Sequence, residues 1–223
     1  MQGVTDSPEV PRRERRLQES SEAQRVRMRR RLIQLGALVA VALVTTSLLR
    51  AFVIQTFSVP SESMEPTLIP GQVLVVGMQT KEDLARGDIV VFADVDGWLG
   101  EGDDFLVKRV IGLPGDTVKC CSTAGQLIVN GAAIEETYLA DIAAPASSTE
   151  FEVVVPEGRI WVMGDNRALS ADSRSHATVD QGAGDGTVAI DSVVGRVLLT
   201  VASPFSPVDR AQDAFRGVPP GTG

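Results

Sequence analysis

Two serines stand one residue apart in Val59-Pro60-Ser61-Glu62-Ser63-Met64-Glu65-Pro66-Thr67-Leu68, with a proline on either side. Proline fixes its own φ and pushes the preceding residue toward an extended backbone, so the stretch reads as a stiff turn and not as helix interior. Such a turn can hold a hydroxyl at one angle beside an unpaired backbone N–H, and a serine nucleophile with an oxyanion site needs both. The plainer alternative is an ordinary Pro/Ser loop. A base within reach is what separates the two.

The chain has one histidine, His176, in a polar Ser/Asp/Gly-rich loop with no apolar framing, which is a poor setting for a Ser-His-Asp triad. It has three lysines. Lys81 lies in a charged segment and Lys119 beside Cys120 and Cys121, whereas Lys108 sits inside the apolar run Phe-Leu-Val-Lys-Arg-Val-Ile at 105–111. In a strand, Leu106 and Val110 share the face of Lys108, while Val107, Arg109 and Ile111 take the other. Aliphatic surroundings disfavour an ammonium and lower its pKa, which makes a lysine serviceable as a general base near neutral pH. The alternative is a strand lysine that snorkels or pairs with an acid.

A third group follows the apolar stretch 159–163, in Gly164-Asp165-Asn166-Arg167-Ala-Leu-Ser170-Ala-Asp172-Ser173-Arg174. Asp165, Asn166 and Asp172 can accept from nearby backbone N–H groups, and Arg167 and Arg174 can fork onto carboxylates, so the segment reads as a turn held by its own polar side chains. Ser170 fits as a partner that orients the lysine amine, since a neutral amine wants one donor and one acceptor beside it.

The elements that must hold these groups are mostly strands. Val, Gly and Thr are plentiful and aromatics scarce, which favours strands and turns over a helical bundle. Strand patterns fall at 72–77, 89–92, 105–111, 117–119, 126–129, 151–155, 159–163 and 193–201, separated by Gly/Pro/Asp turns such as Gly112-Leu-Pro-Gly-Asp116 and Asn130-Gly131. Residues 80–85 offer a short polar helix or turn. Residues 94–104 form a Gly/Asp-rich loop that leaves Trp98 exposed or facing a membrane, and another Gly/Asp loop follows His176. The adjacent Cys120 and Cys121 make neither a metal spacing nor a disulfide framework, and two thiols are expected.

Ahead of the strands the composition changes. Residues 1–31 hold nine arginines against five acids, a local +4, while the rest carries −12 of the total −8. An acidic body with few aromatics argues against a nucleic-acid partner. Residues 1–24 mix Arg, Glu, Gln, Ser and Pro and are expected to be disordered. Residues 32–49 are eighteen uncharged residues, at the short end of what crosses a bilayer, with Arg50 placed to snorkel and Phe52, Val53, Ile54 and Phe57 extending the apolar character. An uncleaved anchor fits better than a core helix, which would show a polar stripe, or a signal peptide, which would begin nearer residue 1. The positive-inside rule then places 1–31 in the cytoplasm and the remainder outside, with the two serines about a dozen residues past the outer face.

Taken together and in order, these segments resemble the bacterial type I signal peptidases, or leader peptidases. Four stretches carry the resemblance: Ser61-x-Ser63-Met64-x-Pro66-Thr67-Leu68, Gly87-Asp88-Ile-Val-Val-Phe92, Lys108-Arg109-Val-Ile-Gly112-Leu-Pro114-Gly115-Asp116 and Gly164-Asp165-Asn166-Arg167-x-x-Ser170-x-Asp172-Ser173-Arg174. The likeness spans about residues 25–205. It implies Ser63 as nucleophile, Lys108 as general base, Ser170 as the holder of the lysine amine, and Ser61 Oγ with the Ser63 N–H as the oxyanion site. Asp165, Arg167, Asp172 and Arg174 would be structural supports. It also implies a mainly antiparallel β fold of two subdomains, no metal or cofactor, and cleavage of exported preproteins after an Ala-x-Ala-like motif. The adjacent cysteine pair differs from the spaced disulfide of some relatives, and the second subdomain is shorter.

The expected organisation is a basic, disordered cytoplasmic tail (1–31), a membrane anchor (32–49), an extracytoplasmic mainly β peptidase domain (50–206) with a small β insertion at 117–158, and a flexible tail (207–223). The expected partners are preproteins leaving the export machinery and the lipid bilayer. Two other readings share some of these features. A self-cleaving Ser/Lys repressor would need a DNA-binding head and no span, and a non-catalytic anchored β domain would leave the four stretches unexplained.

Overall fold

The computed structural model describes residues 12–52, 54–78, 83–94, 97–98, 105–177, 186–201 and 206–221, with the side chains of the first helix described from Arg27 to Ser47. The expected disorder of residues 1–11, the polar turn around Lys81, the loop at 99–104 and the loop at 178–185 lie outside these residues. The chain divides into two units, Met1–Arg50 and Ala51–Gly223.

Helix α1 runs Arg12–Phe52. Residues 12–24, expected to be disordered, are therefore helical. Arg, Glu, Gln and Leu are good helix formers, and continuity with the apolar run removes the need for a separate nucleus. Within α1, Arg27–Ser47 is long and apolar enough to cross a membrane and is buried nowhere. Leu32, Ile33, Leu35, Leu38, Val41 and Leu43 are all more than 60% exposed, covering the whole circumference, which suits lipid better than water. Thr46 folds its hydroxyl onto Ala42 O at 2.8 Å, which satisfies it within the helix.

The second unit contains strands β1 (Ile54–Ser58), β2 (Val73–Gly77), β3 (Ile89–Ala93), β4 (Phe105–Gly112), β5 (Thr117–Cys120), β6 (Leu127–Val129), β7 (Ala132–Ala133), β8 (Phe151–Val154) and β9 (Arg159–Met163). A one-turn helix α2 (Ser173–His176) and strands β10 (Val188–Ala189), β11 (Val193–Val201) and β12 (Ser206–Pro207) complete it. The larger sheet runs β1-β2-β11-β3-β4-β9-β10 with β12 on β11, and the smaller runs β7-β6-β5-β8. Among the described residues every pairing is antiparallel.

Strand β3 reads as an unbroken apolar run, and β4 as one broken only by Lys108 and Arg109, because both of their faces are covered. Along β3, Ile89 and Val91 enter one cluster with Met64, Leu68 and Val107, while Val90 and Phe92 enter another with Leu106 and Val110. A third cluster joins the smaller sheet to β4 and β9 through Ile111, Trp161 and Met163.

Three expectations need correction here. Ile54 and Phe57, read as apolar continuation of the anchor, belong to strand β1, which pairs with β2 from Ile54↔Gly77 to Ser58↔Val73. The flexible tail is ordered through residue 221: Phe215 is buried in the third cluster, Arg210 pairs with the buried Asp88, and Pro219 O accepts from Arg86 and Asn130. Its Pro/Gly content concealed an apolar anchor whose cluster partners, Ile111 and Trp161 among them, stand well earlier in the chain. Cys120 and Cys121, expected as thiols, are joined to each other across a cis peptide with their Cα atoms 3.0 Å apart.

Candidate active site

The turn bearing the two serines is fixed at both ends. Val59 N–H donates to Gln72 O and Gly71 N–H to Val59 O, closing the loop, while the fully buried Met64 and Leu68 pin its interior. Ser61 is extended at φ −140°, and Glu62–Met64 forms a single 3₁₀ turn closed by Glu65 N–H to Glu62 O. A turn this short, ended by a proline, leaves Ser63 5% exposed with no freedom to drift.

Lys108 arrives from β4, at 4% exposure, and its Nζ lies 2.8 Å from Ser63 Oγ. Burial brings its pKa down to about 8; the carboxylates of Asp172 and Asp165 oppose that fall, and Arg174 assists it. Ser61 Oγ donates to Ser63 Oγ at 3.2 Å from the exposed side. The structure thus brings together Ser61, Ser63 and Lys108. Beside them is a cavity of about 100 Å³ lined by Val59, Pro60, Met64, Phe105, Leu106 and Val107. His176 lies elsewhere, stacked on Trp98 at 4.3 Å. Trp98, expected to be exposed or to face a membrane, is half-buried, with Phe92 meeting it edge-on and His176 face-on.

The turn 164–174 frames this group. Asp165 takes a two-pronged bond from Arg109 at 2.8 and 2.6 Å and a third bond from Thr67 Oγ1, tying the serine turn to β4. Arg109 is fully buried; burial alone would lower its pKa, but the bond and charge of Asp165 more than offset that and raise it. Asp172 caps α2, with Ser175 completing a capping box, and accepts from the Gly164 N–H and from Arg174 Nε and NH2. Burial would raise the Asp172 pKa, yet the Arg174 fork and the Gly164 N–H hold it below the usual carboxylate value. Arg167 donates to Gly164 O and Ala146 O and pairs with Glu136.

Ser170, expected to hold the lysine amine, makes no hydrogen bond to Lys108. Its Oγ sits 2.3 Å from where a Cβ on Gly164 would be, and Ser63 O is 2.5 Å from that same point. Glycine is required at 164 by this close approach.

Sequence reasoning missed Thr67, Glu136 and Tyr138, and it gave Arg109 no task. An arginine inside an apolar strand signals an unseen acid, so Arg109 was open to inference. Glu136 and Tyr138 lie between β7 and β8 with no local pattern. The Tyr138 hydroxyl donates to Glu136 Oε1 at 2.6 Å, and its ring lies 4.1 Å under the Arg109 guanidinium. Burial and the neighbouring Glu136 push the Tyr138 pKa well above 10. Among the described residues no group of three or more His, Cys, Asp or Glu could hold a metal.

With this geometry in hand, the comparisons are specific. Residues 32–202 match the family described as signal peptidase, peptidase S26. The chain is 33% identical over 216 residues to signal peptidase I of Mycobacterium tuberculosis, covering 78% of this chain and 73% of that protein. It is 35% identical over 164 residues to signal peptidase I S of Bacillus subtilis, covering 69% and 84%. A signal peptidase I structure from Enterococcus faecalis V583 is 29% identical over 51% of this chain and 96% of its own, at a TM-score of 0.37, an overlap too loose to add weight. The chain therefore belongs to the signal peptidase family, peptidase S26, a family of serine endopeptidases that remove signal peptides.

Proposed function

We propose that the chain cleaves signal peptides from exported preproteins with a Ser/Lys dyad, Ser63 as nucleophile and Lys108 as general base. The observation that carries this is the 2.8 Å contact between Lys108 Nζ and Ser63 Oγ in a buried setting that already lowers the amine's pKa to about 8. Neutral Lys108 accepts the Ser63 proton as Oγ attacks the scissile carbonyl. The Ser63 N–H and the Ser61 hydroxyl hold the oxyanion. Lysine then protonates the leaving amine, and water, activated by the same amine, resolves the acyl ester. Asp165, Arg167, Asp172 and Arg174 act as supports. Ser170 orients the amine through a rotation of its hydroxyl when the substrate is in place, since hydrogen bonds in free enzymes often tighten only in the complex.

The substrate lies extended along β4. That strand pairs with β9 from Arg109 onward, so residues 105–108 keep an edge outside that pairing, next to Ser63. Main-chain bonding along such an edge gives affinity, and pockets test alternate side chains. The neighbouring cavity, at about 100 Å³ and walled by Val59, Met64, Leu106 and Val107, favours a small uncharged side chain by its apolar lining, in keeping with cleavage after Ala-x-Ala-like sequences. The arginines of residues 1–31 favour a cytoplasmic N-terminus and an extracytoplasmic peptidase domain, where preproteins emerge from export.

Incubating full-length protein in detergent or vesicles with a preprotein tests the proposal. The parent releases the mature chain, while Ser63→Ala and Lys108→Ala stay folded and release none. Processing at the parent rate by either variant rejects the dyad.

A further inference from the structure

The inserted segment between β7 and β8 touches the turn beside Ser63 at three points. Glu136 pairs with Arg167 through both of its oxygens. Ala146 O accepts from Arg167 NH1 at 2.8 Å, and Ala140 N–H donates to Asp165 O at 3.2 Å. The Glu136 and Arg167 side chains are 2% and 9% exposed, so the pair is shielded from solvent.

Arg167 passes this anchoring on. Its Nε donates to Gly164 O at 3.0 Å, which fixes the head of the turn, and Asn166 N–H in the same turn donates to Ser63 O at 3.0 Å. The contact has no slack, since a single added Cβ at Gly164 would stand 2.5 Å from Ser63 O. Movement of the turn therefore moves the Ser63 peptide, and with it the direction of Oγ toward Lys108.

We propose that Glu136 is a positioning residue for the reaction: from the segment between β7 and β8, through Arg167 and the turn 164–167, it holds Ser63 in line with its base. This rests on the assignment of Ser63 as nucleophile. Glu136 does not act on the base's titration. The charges that set Lys108 are those of Asp172, Asp165 and Arg174, and Glu136 is already neutralised by Arg167 and bonded by Tyr138. Misplacing a reacting group by about 1 Å costs on the order of a hundredfold in rate, so a remote carboxylate can govern turnover without touching substrate.

The experiment is steady-state cleavage of a preprotein by full-length Glu136→Gln and Glu136→Ala, at a temperature where circular dichroism shows each folded, with kcat and KM separated and the pH profile recorded. Glu136→Gln keeps the acceptor oxygen and loses the charge, and kcat should fall roughly threefold to tenfold; Glu136→Ala should fall on the order of ten- to a hundredfold. In both, KM stays within about twofold and the alkaline-rising profile keeps its midpoint. Should Glu136→Ala fail to fold, Glu136→Gln decides alone. Parent-like kcat in folded Glu136→Gln, or a loss carried by KM or by a moved midpoint, overturns the positioning role. A Ser63→Ala protein that still processes preprotein would overturn the nucleophile assignment instead, so the two failures are distinguishable.

Discussion

Lys108 and Arg109 are consecutive residues of one strand, both buried cations, and they meet opposite fates. Arg109 turns to a carboxylate that matches its fork, with Gly87 O at 2.7 Å and Asp209 O at 3.2 Å taking a further N–H, and its charge is locked in. Lys108 turns to a hydroxyl, its one hydrogen-bond partner among the described residues, and its pKa is brought down to about 8. Asp172 and Asp165 influence it only through their charge. The difference teaches what makes a buried cation reactive. A paired cation is scaffold, whereas one left with a neutral partner can give up its proton.

The largest test of that contrast is to remove the lysine. Lys108→Met should abolish processing, a loss of at least about 10³-fold, because general-base transfer contributes about 10²–10⁴ and the amine also returns the proton. The same variant should be more stable in urea or heat at neutral pH, by about 1–3 kcal/mol, because a desolvated ammonium has been replaced by an isosteric apolar chain. A destabilised Lys108→Met would show that the two neighbours are both structural.

On the other face the expected result is reversed. Asp165→Ala leaves the Arg109 guanidinium buried and unpaired, and should destabilise by about 3–5 kcal/mol in denaturant titration, with activity lost through the fold. Next in size is the C-terminal strap that supplies Asp209 O to Arg109. Phe215→Ala, which removes its buried anchor, should cost about 3 kcal/mol in the same titration. Wild-type stability in Phe215→Ala would mean that the strap rests on the sheet without holding it.

Asp172→Asn sharpens the electrostatic half of the comparison. Asp172 raises the Lys108 pKa and Arg174 lowers it, so removing the carboxylate charge should move the midpoint of the activity profile to lower pH. A shift to higher pH would reverse the sign assigned to this pair. Smallest of all, Lys119→Ala breaks an exposed ion pair with Glu152 and should leave both stability and processing unchanged.

The placement of Lys108 beside Ser63 could be anticipated because a charge in an aliphatic strand is costly and conspicuous, and only three lysines compete for the role proposed for it. Strands β9 and β11 were legible to the residue because turn-forming Gly, Pro and Asp bracket apolar runs. β1 was hidden, since Ile54 and Phe57 follow an apolar helix and period alone does not reveal where the helix stops. The strap was hidden by composition, its Phe215 being the single aromatic among Pro, Gly and charge. Nor could local pattern place Glu136 against Arg167, thirty-one residues later, because that meeting depends on how the smaller sheet folds back. Ser170 was expected beside the lysine amine, and in the free enzyme its hydroxyl lies next to Gly164 without a hydrogen bond to Lys108.

The central claim is that the Lys108 amine, losing its proton near pH 8, takes the proton of Ser63. The rate at which a serine-directed acylating reagent labels Ser63, followed by mass spectrometry from about pH 5 to pH 9, measures that transfer directly. The account predicts a rate that climbs with pH to a midpoint near 8 and disappears in Lys108→Ala. A flat profile, or labelling of Lys108→Ala at the parent rate, would contradict it.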